Sequence, residues 1–137
     1  MALIFLLVPV KAEEKPYDII IGLPRGMTEI IKTKEKTVYL QENGEYEITV
    51  FRFPASSLCE VIPVLADRSV YRVRQKKRFA MKEYLLEWYC GGKICKADIL
   101  LDGRHCYAVR FSAKSKACDS AAVELFSTFG LYLDEGA

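Results

Sequence analysis

Six side chains in this sequence have the chemistry of ligands or nucleophiles: Cys59, Cys90, Cys95, Cys106, Cys118 and the single histidine, His105. Three of the thiols and the imidazole fall within residues 89–111, YCGGKICKADILLDGRHCYAVRF. Such a set can build a closed zinc site, a thiolate nucleophile with an imidazole base, or disulfide staples.

Spacing decides between them. Cys90-x4-Cys95 is longer than the Cys-x2-Cys knuckle of structural zinc sites. His105 and Cys106 are adjacent in a stretch that reads as a strand, so their side chains leave on opposite faces and cannot share one metal. The same parity separates Cys106 from His105 as a nucleophile–base pair. The expectation is therefore no metal and no cofactor. Disulfides Cys90–Cys95 and Cys106–Cys118 are expected, with Cys59 as a free thiol, although five cysteines leave the connectivity open. A Cys106–Cys118 bond would pin a helix to a sheet and stabilise by roughly 3 kcal/mol in the chain-entropy model.

The elements that must position these residues are mostly strands. Residues 82–90, 93–101 and 104–112 alternate in polarity and are joined by Gly91-Gly92 and Asp102-Gly103, both suited to two-residue hairpins. Turns of that length set Trp88 against Cys95, Leu86 against Ala97 and Ile99 against Cys106. One face then carries Tyr84, Leu86, Trp88, Cys90, Cys95, Ala97, Ile99, Leu101, Cys106 and Ala108. Glu87 falls opposite Lys96 on the other face, a favourable cross-strand pair.

Upstream, residues 17–22, 27–32 and 37–42 read as short strands, and Asn43-Gly44 marks a hairpin into residues 45–53. Ser56 or Ser57 begins a short helix over residues 58–66, which Pro63 breaks or kinks. Residues 69–75 alternate as a further strand. Asp119 or Ser120 caps a helix over AAVELFSTF, with Ala122, Leu125, Phe126 and Phe129 on one stripe, and Gly130 stops it. The expected fold is α+β: one antiparallel sheet of about five to seven strands, a C-terminal helix packed on it, and at most one further short helix.

The segment KADILLDGRHCYAVRFSAKSKACDSAAVELFSTFGL, residues 96–131, resembles the C-terminal unit of small secreted domains with the PsbP-like fold. The matching residues are Gly103, Arg104 and Tyr107 around the last strand and Phe126-x-x-Phe129 in the helix. Arg104-His105-Cys106-Tyr107 is one residue longer than the Arg-x-Tyr of that unit, and IIIGLP at residues 19–24 fits its early strand. The resemblance implies an antiparallel sheet with helices against it, and no catalytic residues. The family has a longer helix where Pro63 stands here.

Residues 2–10 are an unbroken apolar run, too short to span a bilayer, and Val10-Lys11-Ala12 has the small or apolar −3 and −1 residues of a signal-peptidase site. Residues 1–12 are expected to be a signal peptide and residues 13–137 a single mature domain, periplasmic or secreted, with no transmembrane segment. A buried N-terminal strand is the competing reading of the apolar run.

Net charge is +2, yet residues 13–67 are net acidic and residues 68–137 net basic. Arg72, Arg74, Lys76, Lys77 and Arg78 form the densest basic run, with Arg72 and Arg74 on one strand face and residues 76–78 crowding the following turn. This run is the candidate surface for an acidic protein or an anionic envelope component. It can equally be a charged sheet edge that resists aggregation. A nucleic acid is disfavoured for a nearly neutral domain without interleaved aromatic residues. Catalytic fingerprints such as Gly-x-Ser-x-Gly, His-Glu-x-x-His, a P-loop or a dinucleotide motif are not in the sequence. The functional expectation is an exported, non-enzymatic binding or accessory protein. The alternatives are an envelope inhibitor or immunity protein and a thiol-dependent enzyme using Cys59.

Overall fold

A computed structural model describes residues 16–66, 72–78 and 81–132. The proposed signal peptide at residues 1–12 lies outside the described residues.

Seven strands form one antiparallel sheet in the order β2-β3-β4-β8-β7-β6-β5. They are β2 (Met27–Lys32), β3 (Lys36–Gln41), β4 (Tyr46–Pro54), β5 (Arg72–Arg78), β6 (Met81–Cys90), β7 (Lys93–Leu101) and β8 (His105–Ala113). A two-stranded sheet pairs β1 (Asp18–Ile20) with β9 (Gly130–Tyr132). Helix α1 (Leu58–Leu65) lies between β4 and β5 in sequence, and α2 (Asp119–Thr128) follows β8 through a 3-10 turn at Lys116–Cys118. The chain is thus a single small α+β domain.

The sheet divides the core in two. On one face, Leu86, Trp88, Cys95, Ala97, Ile99, Leu101, Cys106 and Ala108 pack with Phe51, Phe53 and the α1 residues Val61 and Leu65. This is the core face expected from strand alternation. On the other face, Ile48, Leu100, Tyr107, Val109 and Phe111 pack with Ala122 and Leu125 of α2 and with Phe129 just beyond it. Among the described residues, Trp88, Tyr107, Phe111 and Phe129 are the largest fully buried side chains. Removing such side chains from water stabilises by about 1.5–3 kcal/mol for each large apolar group.

The β6–β7 hairpin has the expected register, with Trp88 opposite Cys95, Leu86 opposite Ala97 and Glu87 opposite Lys96. Gly91 and Gly92 have φ of 55° and 79°, the left-handed region that a type I′ turn requires. The next hairpin differs. Leu101 faces Cys106 and Ile99 faces Ala108, so the tight turn is centred on Gly103 and Arg104 instead of Asp102 and Gly103. The reason is the Asp102 carboxylate: its Oδ1 accepts the backbone N–H groups of Arg104 at 2.8 Å and His105 at 2.7 Å. Asp102 is thereby held at the mouth of the turn, where its side chain mimics a backbone acceptor. The slip is two residues in pairing, so every side chain keeps its face.

Helix α1 forms with Pro63 inside it, its apolar side held by the burial of Val61 and Leu65. The β5 strand continues through residues 76–78, which pair with Glu83, Lys82 and Met81 of β6, so these residues are not in a turn. The early part of the chain is fastened to α2 at Gly22, whose N–H donates to Thr128 Oγ1 at 2.8 Å. A Cβ there would lie 3.1 Å from Thr128 Cγ2, so the approach leaves room for little beyond glycine.

Candidate functional site

The thiols do not converge. All five cysteines are free in this structure. Cys106, at the start of β8, is wholly buried among the α1-side core residues, whereas Cys118 is buried beneath α2 on the other face of the sheet. The expected Cys106–Cys118 bond is therefore corrected: a sheet stands between the two sulfur atoms. Cys90 and Cys95 do share a face, but Cys90 is opposite Lys93 and Cys95 is opposite Trp88. That makes them diagonal neighbours, typically about 7–8 Å apart, whereas a disulfide usually needs Cα atoms within roughly 4.4–6.8 Å. Cys59 is exposed on α1.

Burial pushes the Cys106 thiol up to about 12, with the Asp102 charge adding to the effect. Burial also raises Cys95, whose Sγ lies 3.4 Å from Ser112 Oγ. Both groups are protonated at neutral pH, and the thiolate is the reactive form. His105 lies on the face opposite Cys106, as strand parity requires. Its Nδ1 is 3.9 Å from Asp102 Oδ2. Among the described residues, no group of three or more His, Cys, Asp or Glu side chains is arranged to hold a metal ion.

Asp102 is instead the centre of a structural network. Its Oδ2 accepts the Tyr107 hydroxyl at 2.9 Å, and that hydroxyl accepts the Tyr17 N–H at 3.0 Å. Tyr107 is wholly buried, and burial together with the neighbouring carboxylate raises its pKa.

The basic run occupies the edge strand β5. Its register changes its meaning, because Arg72 is opposite Glu87 and Lys76 is opposite Glu83, while Arg74 is opposite the apolar Leu85. Acids are absent from the run in sequence but are supplied from the next strand. For Arg72, Lys76, Lys77 and Arg78 the description is limited to the backbone, while Arg74 is exposed.

Arg74 also lines a feature that sequence reasoning missed. An open cleft of about 530 Å³ lies between α2 and strands β5–β7. Its floor includes Arg74 of β5, Glu83, Leu85 and Glu87 of β6, and Lys96 and Asp98 of β7, and its roof is Ala122, Val123, Phe126 and Ser127 of α2. Glu83 and Asp98 are 7% and 3% exposed, while Val123 is 67% exposed. A cavity of this size lies within the range of roughly 300–1,000 Å³ typical of small-ligand sites. The one available signal was the Glu87–Lys96 pair on the face away from the α1-side core. Its roof could not be read, because nothing local says on which face of the sheet α2 lands.

No protein-family model matches the chain, and no curated protein matches it. The fold is similar to that of a Bacteroides thetaiotaomicron VPI-5482 protein whose crystal structure is known at 1.50 Å resolution, with a TM-score of 0.55 and 10% identity. The similarity covers 87% of this chain and 46% of that one, so this chain spans about half the length of the protein it matches. At that identity the likeness is one of fold.

Proposed function

We propose that this chain is an exported, non-enzymatic binding or accessory protein whose binding surface is the cleft between α2 and the outer strands β5–β7. The observation that carries the reading is the cleft itself, a concave space of about 530 Å³ with both apolar and charged lining residues. Sites that bind small molecules combine these properties. The raised pKa of the buried Cys106 thiol and its separation from His105 speak against a nucleophile–base pair at these two residues. The apolar run at residues 2–10 and the Val10-Lys11-Ala12 site support export, as does the likeness to PsbP-like secreted domains around Gly103, Arg104, Tyr107, Phe126 and Phe129. Within this proposal the basic run is a charged edge that contributes Arg74 to the cleft.

The binding reading is tested by screening amphipathic small molecules and short peptides by amide chemical shift. The expected result is movement confined to residues of β6, β7 and α2 around the cleft. Val123→Arg should block it without lowering the melting temperature, since Val123 is exposed. Lys34→Gln, on the β2–β3 turn beyond the opposite edge of the sheet, should leave it unchanged. Binding that survives Val123→Arg, or that maps to another surface, would remove the cleft from the proposal. Export is tested separately: a secreted reporter fusion should be processed to begin at Glu13, and retention of the uncleaved chain in the cytoplasm would exclude it.

A further inference from the structure

We infer that this chain pairs with a second copy of itself through the edge strand β2, the two strands running antiparallel so that Glu29 of each copy lies opposite Lys32 of the other. The inference goes beyond the cleft, which lies towards the other edge of the sheet, and does not depend on it.

The seven-stranded sheet ends on β2 and β5. An end strand presents unpaired N–H and C=O groups on its outer side, a template for another strand. The two ends differ in sequence. The β5 strand, RVRQKKR, holds five basic residues and no acid, so two copies paired there would set like charges against one another. The β2 strand, MTEIIK, holds one acid and one base and is exposed from Thr28 to Lys32. Charges and bulges ordinarily blunt an edge, yet here two adjacent isoleucines, Ile30 and Ile31, are 49% and 45% exposed.

A bulge sets the register that a second copy can take. Glu29 is opposite Tyr39, Ile31 is opposite Val38 and Lys32 is opposite Thr37, so Ile30 is an extra residue in β2. Tyr39 and Thr37 are two apart on β3 and share a face, so Glu29 and Lys32 share that face too. In a regular strand, residues three apart lie on opposite faces. Residues directly opposed in an antiparallel pair must share a face. The extra residue therefore opens a self-pairing that a regular strand forbids: Glu29 against Lys32 and Ile30 against Ile31, each occurring twice. Read in opposite directions, Glu-Ile-Ile-Lys meets Lys-Ile-Ile-Glu with opposite charges matched at both ends. A register centred on Glu29 or on Lys32 would oppose identical charges, and one centred on either isoleucine would leave both charges facing uncharged residues. Among the described residues, neither Glu29 nor Lys32 forms an ion pair within its own chain. The pairing also brings four isoleucines together and takes them out of water. A shared edge of six residues is short beside the roughly 20–30 residues a side of a stable interface, so the dimer is reversible.

Sedimentation under reducing conditions, over a range of protein concentration, tests this on the full chain and on the chain beginning at Glu13. Both should show a monomer–dimer equilibrium. Glu29→Lys and Lys32→Glu should each weaken it by about tenfold or more, because each turns two attractive pairs into two repulsive ones. An equimolar mixture of the two variants should form the heterodimer, and the double exchange Glu29→Lys with Lys32→Glu should restore the homodimer. Loss through misfolding would not be reversed by mixing. Val73→Thr, at an exposed valine of the other edge strand, should leave the equilibrium unchanged. A chain that stays monomeric up to about 1 mM would overturn the inference. So would a dimer that the single exchanges leave intact, one that neither mixing nor the double exchange restores, or one that Val73→Thr removes. A dimer formed only by the full chain would also overturn it and would place the association in residues 2–10.

Discussion

The Tyr107 hydroxyl donates a 2.9 Å hydrogen bond to Asp102 Oδ2 and accepts the Tyr17 N–H at 3.0 Å. One buried phenol thus joins the β7–β8 turn to the segment that enters β1. Asp102 meanwhile uses its other oxygen to hold the turn. Tyr107→Phe should remove both phenol bonds and leave the Tyr17 N–H and Asp102 Oδ2 each short of a partner. The expected loss is about 1–3 kcal/mol, read from urea unfolding, since stranded polar groups carry most of such effects. A loss below about 0.5 kcal/mol, the ordinary range for a surface change, would show that the network is incidental.

Alkaline pH should destabilise the fold through the same region. Burial raises Cys106 from 9.0 to about 12 and also raises Tyr107 above its usual 10.0. Above pH 9 the unfolded chain releases the Cys106 proton first, so the folded state holds more protons and stability falls as pH rises. The loss should therefore be absent below pH 9 and grow between pH 9 and about 12. Urea midpoints measured under reducing conditions check the sign, and Cys106→Ala should flatten the first part of that decline. Stability that rises over this window would contradict the burial of the thiol.

Thiol labelling of the reduced native protein should separate the cysteines by burial. Cys59 should react fast, Cys90 more slowly, and Cys95, Cys106 and Cys118 only on unfolding. Peptide mapping of protein from an oxidising compartment should yield no Cys106–Cys118 linkage. Recovery of that linked peptide would mean that the two residues are not on opposite faces of the sheet.

Along β5, charge reversal should discriminate by register. Lys76→Glu places a like charge opposite the buried Glu83, whereas Arg74→Glu places one opposite Leu85. The first should lower stability by about 1 kcal/mol or more, because directly opposed like charges disrupt a sheet and a buried charge is hard to rehydrate. The second should change stability by less than about 0.5 kcal/mol, as for an ordinary exposed site. Equal effects in thermal unfolding would show that the basic run behaves as a uniform solvated edge.

In α2 and its exit the same distinction runs between Phe129 and Val123. Phe129 is wholly buried and Val123 is 67% exposed. Phe129→Ala should lose about 3–5 kcal/mol, the usual range for removing a buried aromatic ring. Val123→Ala should leave the unfolding midpoint almost unmoved. A large effect of Val123→Ala on unfolding would show that the cleft wall is part of the core.

The β6–β7 hairpin follows from a few neighbouring residues alone. Gly91-Gly92 fixes the turn, the turn fixes Trp88 against Cys95, and alternation then assigns each side chain its face. The C-terminal helix was legible for the same reason, since Ala122, Leu125, Phe126 and Phe129 in AAVELFSTF repeat at helical spacing, and it forms at Asp119–Thr128. These features depend on residues close together in the chain. Where a side chain competes for the turn, as the Asp102 carboxylate does, the pairing departs from the two-residue expectation by two positions, and the faces hold because the shift is even. By contrast, the pairing of β4 with β8 and the placement of α1 and α2 on opposite faces are long-range outcomes, and from them follow the separation of Cys106 from Cys118 and the cleft above Arg74, Leu85 and Asp98. Nor could the basic run disclose its partners, because Glu83 and Glu87 belong to another strand. Such pairings follow from where long connections return to the sheet. That is settled by the combined burial of both core layers, which no short stretch of sequence contains.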